Sequence, residues 1–503
     1  MILEMPDSIP SAAELGHLHL VGIGGVAMSA IARTAFERGI PVTGSETQES
    51  STVQALRDLG IVCWSEHRAS NIDGADTVVV STATPADNVE VAEARRRGVR
   101  VIHRATATAA LLDGYRAVAV AGAHGKTGSC AMLVTALGHA GLDPSFIVGG
   151  VLLDTGKNAH AGTGDIFVVE ADESDGAFLQ MSPSIAMVTN VDPDHLENYG
   201  DDANAYHAAF DVFAGHLVPG GVLVACADDP GSLALARRVA ATGRRVVTYG
   251  EAPAADVQSV GLELAELSST FRLLGTDAGG AKVPMGAVTL SAPGRHIALN
   301  ATGVVAVLLE LGLDAAAACA GVSAYGGTRR RFEFKGEAGG VRVFDDYGHH
   351  PTEMTATLIT ARHAAGTGRV VVLYRPLRHT RTQRMGPELA RALELADAVV
   401  VLDPSGDAKI DGVDGTLVSD HVHLPAGEVV YEPDLAAGPA RVAELVRPGD
   451  LVVTLGAGDV AAAGPALLAL LAARTGTGTG TGTDTGTGTE IGTETDAETG
   501  VQA

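Results

Sequence analysis

Short apolar runs alternate with helix-length segments along most of the chain. Residues 17–37 show the unit, since an apolar stretch leads through glycines into an amphipathic segment. Apolar runs bounded by turn residues are typical of buried strands, and strands that alternate with helices are typical of a parallel sheet covered by helices. The pattern therefore predicts an α/β protein. The main runs are LHLVG, TVVVS, RAVAVAG, DIFVVE, IAMVTN, GVLVAC, RVVVLY and DLVVTL.

The spacing of these runs divides the chain into three blocks and a tail. We place the blocks at residues 1–114, 115–322 and 323–473. Residues 256–290 interrupt the second block with an irregular, strand-like stretch. Residues 474–503 are a Thr/Gly repeat with scattered acids and almost nothing apolar to bury, so we expect this tail to be disordered.

Composition narrows the class of protein. The 503 residues carry a formal net charge of -25, which argues against a nucleic-acid partner. The four cysteines include no CxxC pair and favour neither disulfides nor a zinc site. The chain starts without a signal-peptide pattern, and no apolar run is long enough to span a membrane. We therefore expect a cytoplasmic protein without membrane insertion, and the sequence leaves a homodimer open.

A glycine-rich turn, GAHGKTG, follows the run that ends at Ala121. The strict phosphate-loop pattern needs a glycine where Val120 stands, so only a shorter form is present. Glycine N–H groups would cradle phosphates, Lys126 would add a positive charge, and Thr127 would offer a hydroxyl to Mg²⁺. An ordinary strand–turn–helix is the alternative. We predict ATP binding at Gly122, Ala123, His124, Gly125, Lys126, Thr127 and Gly128, with Mg²⁺ bound by Thr127.

Acidic residues follow the next strands. Glu170, Asp172, Glu173 and Asp175 lie at the end of the run DIFVVE or just beyond it. Carboxylate oxygens downstream of a phosphate loop suit Mg²⁺, although a solvated acidic loop would have the same composition. His195, after an Asp-Pro-Asp turn, is a further candidate metal ligand.

The N-terminal turn carries a second phosphate-binding pattern. Gly22, Gly24 and Gly25 separate the first strand from its helix, and acidic Glu46 follows the second strand. Taken alone, this pattern predicts NAD. A helix N-terminus with glycine clearance binds any pyrophosphate, so the diphosphate of a UDP-sugar would fit equally well.

Together the three blocks resemble the Mur ligases, ATP-dependent enzymes that build the peptide of bacterial cell walls. The likeness runs from His19 to about Val460, and its most specific segments are EADESD and DDYGHHPTE in this order. It implies a Rossmann-like N-terminal domain, a central P-loop-type ATPase domain with a mostly parallel sheet, and a Rossmann-like C-terminal domain. The branch that it resembles most joins L-alanine to UDP-N-acetylmuramate. Further matching segments are GIGGVAMSAIA, GAHGKT, TNVDPDHLENY, APGRH, RRRFEFKGE and LGAGDV.

The resemblance also implies a role for each matching residue. Substrate contacts would come from Gly22, Gly24, Gly25, Ser45, Arg104, Tyr347 and His350. Nucleotide contacts beyond the phosphate loop would come from His296, Asn300 and Asp345. The Mg²⁺ ligands would be Thr127, Glu170, Glu173 and His195, and the catalytic groups would be Lys126, His195, Arg330, Arg331 and His349. The implied reaction is amide formation through an acyl phosphate.

Departures from the family pattern keep other functions open. Gly128 and Ser129 stand where the family usually has threonines, Ile297 replaces an asparagine, and residues 375–379 differ. One alternative is a related ligase with a different amine or peptide acceptor. Another is a weakly catalytic paralogue that binds the UDP-sugar. An NAD oxidoreductase would leave Lys126 and the acidic residues unused.

Overall fold

The computed structural model of the protein describes residues 8–476, which form three β-sheets flanked by helices. The predicted α/β fold class is confirmed. Residues 1–7 and 477–503 lie outside the described residues, so most of the predicted disordered tail does too. Within 8–476, none of the helices combines the length and apolar character needed to cross a bilayer.

The N-terminal sheet is wholly parallel. Its strands are β1 (Leu18–Val21), β2 (Val42–Ser45), β3 (Val62–Trp64), β4 (Thr77–Val80) and β5 (Arg100–His103), and its helices are α1 (Val26–Glu37), α2 (Ser51–Asp58), α3 (Val89–Arg97) and α4 (Arg104–Leu111). The order β3-β2-β1-β4-β5 is that of a Rossmann-like domain, in which a phosphate group binds at the turn after β1.

The central sheet has ten strands. They are β6 (Arg116–Ala121), β7 (Ser145–Ile147), β8 (Ala159–His160), β9 (Ile166–Glu170), β10 (Ile185–Val188), β11 (Val222–Cys226), β12 (Arg245–Gly250), β13 (Val257–Leu264), β14 (Ser269–Thr276) and β15 (Lys282–Leu290). The helices are α5 (Lys126–His139), α6 (Ala203–Gly215), α7 (Pro230–Ala241), α8 (Arg295–Glu310) and α9 (Ala315–Ser323). The order is β15-β14-β13-β12-β11-β10-β6-β9-β7-β8. Strands β13 to β15 form an antiparallel extension, which is the irregular stretch noted in the sequence.

The C-terminal sheet is parallel except for its first strand. Its strands are β16 (Glu333–Ala338), β17 (Val341–Asp346), β18 (Val370–Tyr374), β19 (Ala398–Val401), β20 (Val429–Tyr431) and β21 (Leu451–Leu455), in the order β16-β17-β21-β18-β19-β20. The helices are α10 (Pro351–Ala365), α11 (His379–Leu393), α12 (Thr416–Ser419), α13 (Gly438–Leu445) and α14 (Ala463–Gly476). Helix α14 continues past residue 474, where we placed the start of the tail.

Strand β6 shows how the sequence produces a sheet buried on both faces. Ala117, Ala119 and Ala121 pack into one hydrophobic cluster, and Val118 and Val120 pack into another. Successive side chains of a strand point to opposite faces, so a continuous apolar run fills both cores. The polar residues that follow β6, β9 and β10 are then brought to one edge of the sheet, because these strands are parallel.

A methyl group added to Gly303 tests how tightly α8 packs on this sheet. A Cβ there would clash with Met187 Cε and lie 2.6 Å from Tyr249 Cζ. Gly303→Ala should therefore lower the free energy of unfolding by ~1–3 kcal/mol through overpacking. Gly138→Ala on α5, where a Cβ meets open space, should instead raise it by up to ~1 kcal/mol through helix propensity. Urea unfolding measures both, and a shift of the same sign in the two variants would contradict this packing.

Candidate active site

The phosphate loop connects β6 to α5, which begins at Lys126. Gly125 stands at the helix N-cap with φ of 85°, a left-handed conformation that glycine adopts readily. Lys126 Nζ donates to Gly122 O at 2.7 Å and to the Glu173 carboxylate at 2.6 Å. The lysine therefore lies folded back over its own loop, where phosphate oxygens would bind.

Lys126 is a buried cation among acidic side chains. Burial alone would lower its pKa, but the charges of Glu173, Asp172 and Glu170 outweigh burial and raise the pKa above its ordinary value. Burial raises the pKa of Glu173, against the opposing charge of Lys126. Lys126 therefore carries its proton at neutral pH.

The Thr127 hydroxyl lies between a carboxylate and a guanidinium. Its Oγ1 is 3.0 Å from both carboxylate oxygens of Glu170 and accepts a hydrogen bond from Arg331 Nη2 at 3.3 Å. Glu170 Oε2 also accepts from Gly149 N at 2.8 Å. Thr127 and Glu170 thus present the oxygen donors that Mg²⁺ prefers, with a C-terminal-domain arginine beside them.

His124, also on the phosphate loop, is held between two carboxylates. Its Nε2 lies 3.2 Å from Asp192, and its Nδ1 lies 3.4 Å from Glu353. Burial would lower the pKa of His124, but the carboxylates of Asp192 and Glu353 outweigh burial and raise it to about 9. The ring of His350 packs beside that of His124, with 4.9 Å between centroids. The His124 ring is therefore positively charged at neutral pH.

A first cavity of about 390 Å³ lies on one side of the phosphate loop. His296 and Asn300 of α8 line it, and a Cβ at Gly125 would lie 2.8 Å from Asn300 Nδ2. Burial lowers the pKa of His296 to about 4, so its ring is neutral. A neutral ring in a cavity with many apolar walls suits the base of a nucleotide. Other residues of this cavity are His124, Gly128, Met132, Asn190, Asp192, Cys226, Asp228, Ile297, Leu299, Tyr325, Arg331, Phe332, Asp346, Thr352 and Glu353.

A second cavity, also of about 390 Å³, lies where the N-terminal, central and C-terminal parts of the chain meet. Gly125, Arg331 and Glu353 line both cavities, so the two spaces adjoin at the phosphate loop. The second cavity is also lined by Val26, Ala27, Ala30, Arg104, Ala123, Lys126, Thr127, Gly149, Glu170, Glu173, Asp194, His195, Tyr347, His349, Leu377 and Arg378.

His349 offers this cavity a neutral imidazole. Burial lowers the pKa of His349 to about 4, although the charge of Glu353 opposes the shift. Its Nδ1 donates to Tyr347 O at 3.1 Å, which leaves Nε2 without a proton. His349 is therefore uncharged at neutral pH, and its Nε2 presents a lone pair rather than a proton.

The N-terminal glycine turn reaches the second cavity through the start of α1. Val26 lines this cavity and is 62% exposed. Gly22 N donates to Ser45 O at 2.9 Å, which fixes the turn against β2. The Ser45 hydroxyl points away from the cavity, because it donates to the buried carboxylate of Glu90 at 2.6 Å.

Known proteins match this chain along nearly its whole length. Residues 17–116 match the model of the Mur ligase family catalytic domain, 120–308 the Mur ligase middle domain, and 330–458 the Mur ligase glutamate ligase domain. A protein of Mycobacterium sp. (strain JLS) named UDP-N-acetylmuramate–L-alanine ligase is 47% identical over 92% of this chain and 97% of its own length. The chain belongs to the Mur ligase family.

This Mur ligase has similar relatives elsewhere. The protein of the same name from Kineococcus radiotolerans is 49% identical over 93% of this chain and 98% of its own. The crystal structure of UDP-N-acetylmuramate–alanine ligase from Thermotoga maritima has a TM-score of 0.76 and 28% identity, and it covers 91% of this chain and 99% of that one.

In this Mur ligase the second cavity gathers most of the side chains predicted to be catalytic or metal-binding. His195 joins them from the loop after β10, and its Nδ1 is buried without a hydrogen bond to any described residue. The predicted residues at this cavity are Arg104, Ala123, Gly125, Lys126, Thr127, Glu170, Glu173, His195, Arg331, Tyr347 and His349.

Several predicted residues lie elsewhere. Asp345 is buried and accepts a hydrogen bond from Arg330 Nε at 3.0 Å. The two side chains therefore bind each other within the C-terminal domain. Asp346, the neighbour of Asp345, lines the first cavity instead. Ser45 and His350 line neither cavity. Substrate contacts through these residues and the N-terminal glycines remain predictions.

Two acidic residues at the site were not among the predicted site residues. Asp192 and Glu353 flank His124, and Glu353 also borders the second cavity. Glu353 stands at the third position of a helix N-terminus, where glutamate signals a capping box. That signal marks the start of α10, but it carries no information about a contact with the phosphate loop.

Substitution by alanine should lower nucleotide affinity at one glycine of the phosphate loop and leave it unchanged at another. Gly125→Ala would force a Cβ into a left-handed residue and against Asn300, so nucleotide affinity should fall at least about tenfold. Among residues 8–476, no atom lies within 4 Å of a Cβ at Gly128, so Gly128→Ala should leave nucleotide affinity nearly unchanged. Calorimetric titration with a non-hydrolysable ATP analogue measures both. Equal losses in the two variants would contradict the loop geometry.

Proposed function

We propose that this Mur ligase joins L-alanine to UDP-N-acetylmuramate with consumption of ATP, through an acyl phosphate. The observation that carries the proposal is the second cavity, where Lys126, Arg104 and His349 face one space from three domains. The named relatives at 47% and 49% identity support the same substrates. The proposed domains are residues 1–114 for the UDP-sugar, 115–322 for ATP, and 323–473 for the amino-acid side.

In the first step, a carboxylate oxygen of the sugar's lactyl group attacks the γ-phosphorus of ATP, and ADP leaves. Negative charge on the transferred group would be offset by Lys126, which precedes Thr127 in the chain, and by Arg331, which donates to the Thr127 hydroxyl. Lys126 has a charged partner in Glu173, and a phosphate group would take that partner's place.

The residues around Thr127 fit a magnesium ion. Thr127 and Glu170 supply oxygen donors, and Glu173 and His195, whose Nδ1 makes no hydrogen bond to a described residue, line the same cavity. These four residues would hold Mg²⁺, which when bound would neutralise phosphate charge.

In the second step, the amine of alanine attacks the activated carbonyl carbon, and inorganic phosphate leaves. The nitrogen must lose a proton as the amide forms, and the unprotonated Nε2 of His349 lies in the same cavity. Because burial lowers the pKa of His349, the ring would take this proton only transiently. Arg378 lines this part of the cavity and offers a positive charge to a carboxylate of the amino acid.

The identity of the amine acceptor is tested by the phosphate that each candidate causes the enzyme to release from ATP. With UDP-N-acetylmuramate, ATP and Mg²⁺ present, phosphate release should depend on L-alanine. Among the departures at residues 375–379, Leu377 lines the cavity, whereas His379 is bound to Asp407 at 2.8 Å. The assay therefore also includes glycine, L-serine and short peptides. Phosphate release only with another acceptor would show that this acceptor, and not L-alanine, is the substrate. Binding of UDP-N-acetylmuramate without phosphate release would favour a weakly catalytic paralogue.

Lys126→Ala should separate chemistry from sugar binding. Because Lys126 touches the phosphate loop and not the N-terminal glycine turn, turnover should fall by about a thousandfold or more. The affinity for UDP-N-acetylmuramate, measured by calorimetry, should stay unchanged. Lys157→Ala, in the same domain, is the control and should keep both properties. Loss of turnover and sugar binding together would contradict separate sites.

A further inference from the structure

The Glu353 carboxylate accepts two backbone hydrogen bonds in the C-terminal domain and makes one contact outside it. Its Oε2 accepts from the backbone N–H groups of His349 and His350, at 3.1 and 3.3 Å, and so caps α10. Its Oε1 lies 3.4 Å from Nδ1 of His124 on the phosphate loop, and this contact is electrostatic, since Nδ1 makes no hydrogen bond to any described residue. Glu353 is therefore fixed by its own domain while it contacts the central one.

The opposite edge of the His124 ring is held by the central domain. Nε2 is 3.2 Å from Asp192 Oδ2, and that same oxygen accepts from Thr352 Oγ1 at 3.1 Å. A neutral imidazole carries one N–H and could satisfy only one of its two carboxylate neighbours. Because both ring nitrogens face carboxylates, the imidazolium is the form that matches this geometry.

Other charged groups surround these partners without replacing them. Arg331 and His349 act on Glu353, and Asp194 and Arg381 act on His350. Burial lowers the pKa of His350, so the ring that packs at a tilt beside His124 is neutral and does not repel it. Asp192 and Glu353 are thus the charges that hold the His124 proton.

We propose that Glu353 is a positioning residue that docks the C-terminal domain on the phosphate loop by binding protonated His124. The inference rests on the proposed ligase function. Docking places Arg331 against Thr127 and His349 at the second cavity, so it sets the geometry of the chemical steps. It leaves the N-terminal glycine turn untouched and therefore leaves sugar binding unchanged.

The docking is sensitive to pH in one direction. The pKa of His124 is raised to about 9 when both carboxylates contact it. The contribution of Glu353 is therefore complete below the pKa that His124 has in the undocked protein, and it is lost as pH rises through about 9.

Glu353→Gln tests the proposal, because glutamine removes the charge but still offers an oxygen to cap α10. Near neutral pH, kcat should fall roughly tenfold to a hundredfold, with the affinity for UDP-N-acetylmuramate unchanged. The ratio of wild-type to variant kcat should shrink toward one as pH rises past about 9. Glu388→Gln, an exposed glutamate on α11, is the matched control and should show a ratio near one throughout.

A ratio of wild-type to variant kcat that stays well above one at every pH would indicate a structural role only and would overturn the proposal. Asp192→Asn is the second variant if thermal melting shows that Glu353→Gln is unfolded, and it should give the same pH-dependent ratio.

A second measurement does not depend on turnover. NMR titration of ¹³C-labelled histidine, with His124 assigned through His124→Gln, should show a lower His124 pKa in Glu353→Gln than in the wild type. An unchanged His124 pKa would overturn the docking contact. A wild-type protein inactive with L-alanine would instead overturn the proposed function, and the NMR titration would still decide the role of Glu353.

Discussion

The buried ion pair between Lys126 and Glu173 is the interaction on which the rest of the site depends. The Lys126 side chain is only 12% exposed and needs a close counter-charge, which the buried Glu173 supplies at 2.6 Å. A phosphate that enters beside Lys126 brings negative charge of its own and can take over as the partner. The pair therefore keeps the lysine charged and in place before ATP binds. When a phosphate replaces Glu173 as the partner of Lys126, the Glu173 carboxylate is released beside Thr127 and Glu170.

That pair exists because three parallel strands end at one edge of the central sheet. β6 delivers Lys126, β9 delivers Glu170 and Glu173, and β10 leads to Asp192 and His195. The strands themselves are buried on both faces and hold these ends rigidly. The chain has a formal net charge of -25, yet its proposed substrates are anionic. The positive groups that offset this charge, Lys126, Arg331 and Arg104, are concentrated around the second cavity.

Much of the fold could be predicted from the sequence, because parallel strands buried on both faces appear as continuous apolar runs. The phosphate loop and the acidic strand ends could also be predicted, because they directly follow these apolar runs in the sequence. What could not be predicted depends on single-residue orientation or on contacts across domains. Asp345 and Asp346 are adjacent on β17, and only their opposite side-chain directions put Asp346 at the cavity and Asp345 against Arg330. Ser45 ends strand β2, where ligand-binding residues are common, but its hydroxyl donates a hydrogen bond to Glu90, which lies far along the sequence.

The two cavities explain why the C-terminal domain must be in place before the amide can form. An acyl phosphate is reactive toward water as well as toward amines, so the acceptor side has to be assembled in a space that excludes water. Arg331 and Glu353 border both cavities, and His349 and Arg378 line the second one from the same domain. One movement of that domain would therefore bring the arginine to the phosphate loop, bring the proton acceptor to the amine, and close the space between them. Activation of the carboxylate and its capture by the amine are then coupled by geometry, since neither cavity is complete without residues that also belong to the other.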